Sequence, residues 1–362
     1  MSEQEIKSVN PLRENEEGIF AFQWHITDNC DQRCRHCYIF AENREKPLVS
    51  MSFEQMQEVL RKCDAFTAKL DMKPIFYITG GDPILHPDFW RLAELMKEQK
   101  RPFAMMGNPF HLNEEVCKRL KDCGCTAYQL SVDGLEETHD WFRMPGSYKK
   151  TIETIRVISR AGIDAEVMMT VSEKNYRELP AVMDAVVEAG ADGFGFARYV
   201  PTSEEKHNLI PPQEYRKLLD TYVKKRREYY IHGSFTNFAL KDHLLALYFY
   251  EEGNFKPPVY CHKEGDHMPA GCHCANGNAA ILPDGTFMAC RRTEGSALGN
   301  VFTDDLMEMW DKAKKTYRQY DKYANCNRCK LSPWCRGCPA VAYGMTGDYF
   351  SGDPQCWHVV EE

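Results

Sequence analysis

The sequence predicts an α/β protein, a partial (β/α)6 TIM-like barrel followed by a small cysteine-rich domain with a β-hairpin and helices. Two observations carry that expectation. From Ile19 to Val200, short apolar runs alternate with longer stretches whose apolar residues recur at three- and four-residue spacing. Repeats of that kind read as strand–helix units on a parallel sheet. After about residue 250 the alternation stops, and Pro257, Pro258, Cys261, Gly271, Cys272 and Cys274 follow in quick succession.

The candidate strands are residues 19–26, 75–79, 102–106, 126–132, 164–171 and 193–197. Helical periodicity occupies 52–69, 87–99, 114–122, 148–160 and 177–189, with a sixth helix inside 211–230. Ser52 followed by Gln55 predicts a capping box at the start of the first helix. Six such units suit a barrel or partial barrel. Residues 279–291 read as a hairpin turned at Asp284-Gly285, and one more helix fits 304–316. The expected organisation is an N-terminal extension (1–18), the barrel (19–235), a linker with a helix (236–260) and the cysteine-rich domain (261–362).

Composition narrows the function. At 362 residues, 43% apolar and 27% charged, the chain has the make-up of a soluble globular protein of about two domains. A net charge of −8 argues against a nucleic-acid binder, which needs a basic surface to displace counterions. The longest apolar run, Leu244 to Tyr250, is seven residues, far short of a membrane span. The first residues are polar and acidic with no signal-peptide core, so the cytoplasm is the expected location. Sixteen cysteines in a reducing compartment then point to metal or cluster ligation before disulfides.

Cys30-x3-Cys34-x2-Cys37 directly follows the first strand, at the strand end where βα barrels carry their active sites. Three thiolates on one loop can hold three irons of a cubane cluster and leave the fourth iron open to a substrate. An electron-transfer ferredoxin would supply a fourth cysteine nearby, and none follows before Cys63. A zinc site completed by His25 or His36 is the alternative.

This CxxxCxxC spacing on a βα pattern resembles the signature of the radical S-adenosylmethionine (SAM) superfamily. The resemblance implies a 4Fe-4S cluster whose open iron is chelated by SAM. It also implies reductive cleavage of SAM to a 5′-deoxyadenosyl radical that abstracts hydrogen. Thr79-Gly80-Gly81-Asp82-Pro83 resembles the family's GGEP-like segment, which binds the SAM amino group through backbone, and paired glycines permit close backbone approach. Gln129-Leu-Ser131-Val-Asp133-Gly134 resembles the segment whose Ser contacts the ribose. Arg143, twelve residues after Ser131, stands where related maturases grip the SAM carboxylate. His36 falls where the family carries an aromatic residue beside the adenine. Cys117, Cys123 and Cys125 read as buried small hydrophobes, and Lys224 to Arg227 as a solvated helix face.

The tail carries Cys274, Gly285-x4-Cys290, then Cys326-x2-Cys329-x5-Cys335-x2-Cys338, then Cys356. It resembles the SPASM domain, which binds two auxiliary 4Fe-4S clusters. The resemblance gives one cluster to Cys326, Cys329, Cys335 and Cys356, and the other to Cys274, Cys290 and Cys338. The fourth ligand of the second set is Cys272, Cys261 or a substrate thiolate. The pair Cys335/Cys338 is one residue closer than the family's spacing, and zinc is the alternative metal for such pairs.

SPASM enzymes mostly modify peptides or proteins. The leading expectation is therefore a maturase that forms a thioether or carbon–carbon crosslink on a ribosomally made (RiPP) precursor. Its expected partners are a peptide or protein substrate and a flavodoxin- or ferredoxin-type reductant. Only about 18 residues precede the first strand, so any leader recognition is expected to use another surface or a separate leader-binding protein. Sulfatase maturases place a catalytic Asp directly after the cysteine of the Gly-x4-Cys segment; Arg291 stands there, after Cys290, which lowers that alternative. Haem or other small-molecule side-chain processing is a second alternative. A multi-cluster electron carrier without SAM and a zinc-stabilised interaction module are the non-enzyme ones.

Overall fold

The computed structural model describes residues 18–40, 45, 47–201, 206–240, 242–256, 272 and 274–358. Cys261, a candidate ligand, lies outside these described residues. The six expected strands form as β1 (Ile19–Thr27), β2 (Lys73–Gly80), β3 (Phe103–Met106), β4 (Cys125–Ser131), β5 (Asp164–Val171) and β6 (Gly193–Arg198). Each pairs parallel with the next, as a partial barrel requires. The helices between them are α1 (Phe53–Lys69), α2 (Phe89–Glu98), α3 (Glu114–Asp122), α4 (Glu136–Phe142), α5 (Ser147–Arg160) and α6 (Leu179–Glu188). The last barrel helix is α7 (Pro212–Ile231).

Strand alternation decides what the barrel buries. On β1, Phe20, Phe22, Trp24 and Ile26 are fully buried, while Gln23 and His25 alternate with them on the opposite face. The Phe20 ring packs edge-on against Phe66 of α1 at 5.0 Å. Side chains of this size each contribute roughly 1.5–3 kcal/mol on burial. The capping box forms: Ser52 Oγ accepts from Gln55 N at 3.2 Å, and Ser52 N donates to Gln55 Oε1 at 2.8 Å. Cys117, Cys123 and Cys125 are buried in the core.

The chain continues through β7 (Asn237–Phe238), α8 (Leu244–Glu251), β8 (Asn278–Ile281), β9 (Thr286–Met288) and β10 (Ala297–Asn300). It closes with α9 (Leu306–Tyr317) and α10 (Pro339–Thr346). The hairpin β8–β9 turns where the sequence places it: Gly285 has φ +87°, and Thr286 N donates to Asp284 Oδ1 at 2.9 Å. What periodicity does not reveal is that β8 pairs parallel with β1, on the edge away from β2. One sheet therefore runs in the order β10-β9-β8-β1-β2-β3-β4-β5-β6-β7, across the boundary that composition suggests. Trp310 of α9 locks the junction by packing on Phe20 at 4.9 Å.

Two local expectations change. α4, unread in the sequence, has only seven residues, too short for periodicity to register. The Lys224–Arg227 run is not wholly solvated: Arg226 is buried and sits over the Tyr230 ring, and Lys225 pairs with Asp184 of α6 at 2.8 Å. Among the described residues no helix is long and apolar enough to cross a membrane.

Candidate active site

The C-terminal ends of the barrel strands meet around the loop that leaves β1, where Cys30, Cys34 and Cys37 are partly exposed free thiols. The end of β2 zips onto this loop by backbone. Gly81 N donates to Thr27 O at 2.8 Å, and Asp82 N donates to Asn29 O at 2.7 Å. A Cβ on Gly80 would overlap Thr27 O, and one on Gly81 would overlap Asn29 O. Gly80 also has φ +145°, a conformation open to glycine and strained for other residues. The glycine pair is thus required first by the backbone of the loop that carries Cys30, Cys34 and Cys37. Asp82 Oδ1 accepts from Ile84 N at 3.3 Å to cap the short turn that Pro83 begins, while Oδ2 is buried without a partner among the described residues. Burial raises the Asp82 carboxyl to about 6, with His111 opposing.

The loop is gripped from the other side by the end of α4. Arg35 N donates to Phe142 O at 2.8 Å. Arg143 then donates Nε to Asp133 Oδ2 at 2.7 Å and Nη1 to Cys34 Sγ at 3.8 Å. Asp133 is fully buried, and its Oδ1 also accepts from Thr170 N at 2.9 Å. Burial works against its charge, but Arg143 and then His36 outweigh it and hold the carboxyl well below the usual range. His36, the candidate adenine stacker, has Nε2 3.3 Å from Asp133 Oδ2 and its ring edge-on to Phe142 at 4.9 Å. Ser131 ends β4, partly exposed.

Several residues here escape a reading of the sequence. Asn108 donates to Asp31 Oδ1 at 2.7 Å and lies 4.0 Å from Cys30 Sγ, and His111 Nε2 is 2.8 Å from Asp31 Oδ2. These partners stand 77 and 80 residues apart, beyond any local signal. Tyr38, next to Cys37, accepts from Gln23 Nε2 at 3.3 Å, and that amide also lies 3.3 Å from His25 Nε2.

The C-terminal cysteines gather in two places. Cys272, Cys290 and Cys338 line one cavity, with Cys274 buried beside them and its N donating to Cys272 Sγ at 3.4 Å. Cys326, Cys329, Cys335 and Cys356 line another. Burial pushes the thiols of Cys272 and Cys326 up to about 12. Arg292 reaches the first group, donating Nη2 to Cys338 Sγ at 3.7 Å and Nη1 to Arg198 O at 3.1 Å. Arg198 is buried against Asp242 and Asp353, and Asp353 Oδ2 accepts from Cys338 N at 2.7 Å.

Three thiols on one loop, plus two groups of four, form a donor set suited to iron–sulfur clusters. Guanidinium donors aimed at Cys34 and Cys338 suit thiolate ligands, because donors to an anionic sulfur make the stronger bonds. A barrel with such a loop at its strand ends, joined to a cysteine-rich module, defines a protein built to carry iron–sulfur clusters. The Radical SAM superfamily profile matches residues 24–186, and that of the SPASM iron-sulfur cluster-binding domain matches residues 272–339. The chain is a radical SAM enzyme with a C-terminal SPASM domain. Its cofactors are SAM, the 4Fe-4S radical SAM cluster and two auxiliary 4Fe-4S clusters. When bound, the reduced cluster and SAM supply a hydrogen-abstracting 5′-deoxyadenosyl radical.

The AdoMet-dependent heme synthase of Methanosarcina barkeri is 25% identical, covering 92% of this chain and 95% of the relative. The mycofactocin maturase MftC of Mycobacterium ulcerans is 26% identical, covering 92% and 86%. Streptococcus suis SuiB bound to S-adenosylmethionine superposes with a TM-score of 0.72 at 18% identity, covering 94% of this chain and 78% of that one.

Proposed function

We propose that this enzyme cleaves SAM to modify the side chains of a tetrapyrrole. The reading is carried by likeness along nearly the whole chain to an AdoMet-dependent heme synthase, an Fe-coproporphyrin III synthase and a pre-heme d1 synthase. Their names share one class of product, the tetrapyrroles, and haem or other small-molecule side-chain processing stands among the sequence's own alternatives. A flavodoxin- or ferredoxin-type reductant delivers the electron.

Within this reading Cys30, Cys34 and Cys37 hold the SAM cluster. Gly80, Gly81, Asp82, Pro83, Ser131, Arg143 and His36 surround SAM, and Asp133 fixes the Arg143 fork. Cys326, Cys329, Cys335 and Cys356 hold one auxiliary cluster. Cys274, Cys290 and Cys338 hold the other, and Cys272 is the fourth ligand because it lines the same cavity. Four protein thiols would leave no iron of that cluster for a substrate thiolate.

The test is anaerobic incubation of the reduced enzyme with SAM and Fe-coproporphyrin III, followed by mass spectrometry of the porphyrin. Altered porphyrin side chains formed together with 5′-deoxyadenosine support the reading; 5′-deoxyadenosine with unchanged porphyrin opposes it. The second reading, peptide crosslinking with a separate leader-binding protein, is favoured by the likeness to MftC and to the subtilosin biosynthesis protein AlbA of Bacillus subtilis. It predicts loss of hydrogen from a precursor peptide instead.

A further inference from the structure

Arg291 stands apart from the other arginines around the clusters. Arg292 is committed to Cys338 Sγ and Arg198 O, Arg198 to Asp242 and Asp353, and Arg143 to Asp133 and Cys34. Arg291 makes no ion pair or hydrogen bond among the described residues, and its Nε is buried without a partner. What holds it is the face of Tyr38, 4.2 Å from the guanidinium carbon.

An unsatisfied, desolvated guanidinium nitrogen is costly, and a carboxylate relieves that cost best because its two oxygens match the fork. The place is as informative as the group. Tyr38 follows Cys37 of the SAM-cluster loop, and Arg291 follows Cys290 of the auxiliary site, so their contact spans the two cluster-bearing segments. Tyr38 keeps 38% of its surface accessible, with Gln23 and His25 of the β1 inward face beside it. A ligand held there lies between the SAM-cluster loop and the auxiliary hairpin.

We infer that Arg291, shelved on Tyr38, is a substrate-carboxylate subsite that takes one propionate of the tetrapyrrole and so orients the macrocycle at the barrel mouth. The inference rests on the tetrapyrrole reading above. It also accounts for Arg in a position where a sulfatase maturase would carry a catalytic Asp: the side chain binds an anion and takes no proton.

The test uses the anaerobically reconstituted holoenzyme, with Fe-coproporphyrin III and its tetramethyl ester as probes and the Soret band as readout. The wild type is expected to bind the acid about tenfold or more tighter than the ester, the range of a charge-assisted pair. Arg291→Gln is expected to erase that preference, and Arg291→Lys to keep part of it. Iron and sulfide content is measured on each variant to show that the clusters are loaded. An unchanged acid preference in Arg291→Gln overturns the subsite and leaves the tetrapyrrole reading standing. Loss of the SAM-induced change in the reduced cluster's EPR signal in Arg291→Gln would give the guanidinium to SAM, and also overturns it. A wild type that binds neither porphyrin overturns the tetrapyrrole reading and the subsite together.

Discussion

Arg143 and Asp133 pair at 2.7 Å inside the protein, and the same guanidinium reaches 3.8 Å from Cys34 Sγ. The pair ties the end of β4 to the loop that carries Cys30, Cys34 and Cys37. Asp133 has no exposed surface, so removing its cation strands a buried charge. Arg143→Ala is expected to destabilise the apoprotein by roughly 3–5 kcal/mol. Denaturant unfolding of apoprotein measures this; a loss under about 1 kcal/mol would show that Asp133 is neutralised some other way.

His139 gives the fold a pH dependence. It is fully buried; its Nδ1 accepts from Asp133 N at 3.1 Å, and Nε2 lies 3.1 Å from Ser147 Oγ. Burial, then repulsion from Arg143, lowers its pKa from 6.5 to about 4. The unfolded chain therefore binds the proton first as pH falls. Stability from this group is complete above pH 6.5 and drains away down to about pH 4, by roughly 3 kcal/mol in all. Unfolding free energies at several pH values should show a shallower slope across that window for His139→Gln than for wild type.

Gly81→Ala should cost the SAM cluster rather than the fold. Its Cβ would meet the carbonyl of Asn29, one residue before Cys30, so the loop must move. After reconstitution the variant is expected to lose the iron of one cluster, keep the auxiliary clusters and make little 5′-deoxyadenosine. Full iron content with wild-type turnover would refute this.

Cys272→Ala tests the fourth auxiliary ligand. The thiol lines the cavity shared by Cys290 and Cys338, so its loss should change the EPR spectrum of that cluster and leave the SAM-cluster signal in place. An unaltered auxiliary spectrum would return the role to Cys261 or to substrate.

Arg198 joins the barrel to the tail. Asp242 and Asp353 both depend on it, and Asp353 in turn holds the backbone of Cys338. Arg198→Ala leaves two buried carboxylates without their cation and is expected to lower stability by at least about 3 kcal/mol. Auxiliary iron should fall with it, as thermal unfolding and iron analysis would show.

The sequence by itself determined the repeat of strands and helices, the cap at Ser52, the turn at Gly285 and the clustering of thiols. Each is set by residues within a few positions of one another, where periodicity and spacing carry the signal. Tertiary structure alone decided that β8 pairs with β1, that Asp31 meets Asn108 and His111, and that Arg143 is shared between Asp133 and Cys34. It also decided that Arg291, without an ion pair among the described residues, rests on Tyr38 from the far end of the chain. Those contacts join segments far apart in the chain, and only packing of the whole sheet brings them together. The chemistry of the donors was legible from residue type; which donor faces which acceptor was not.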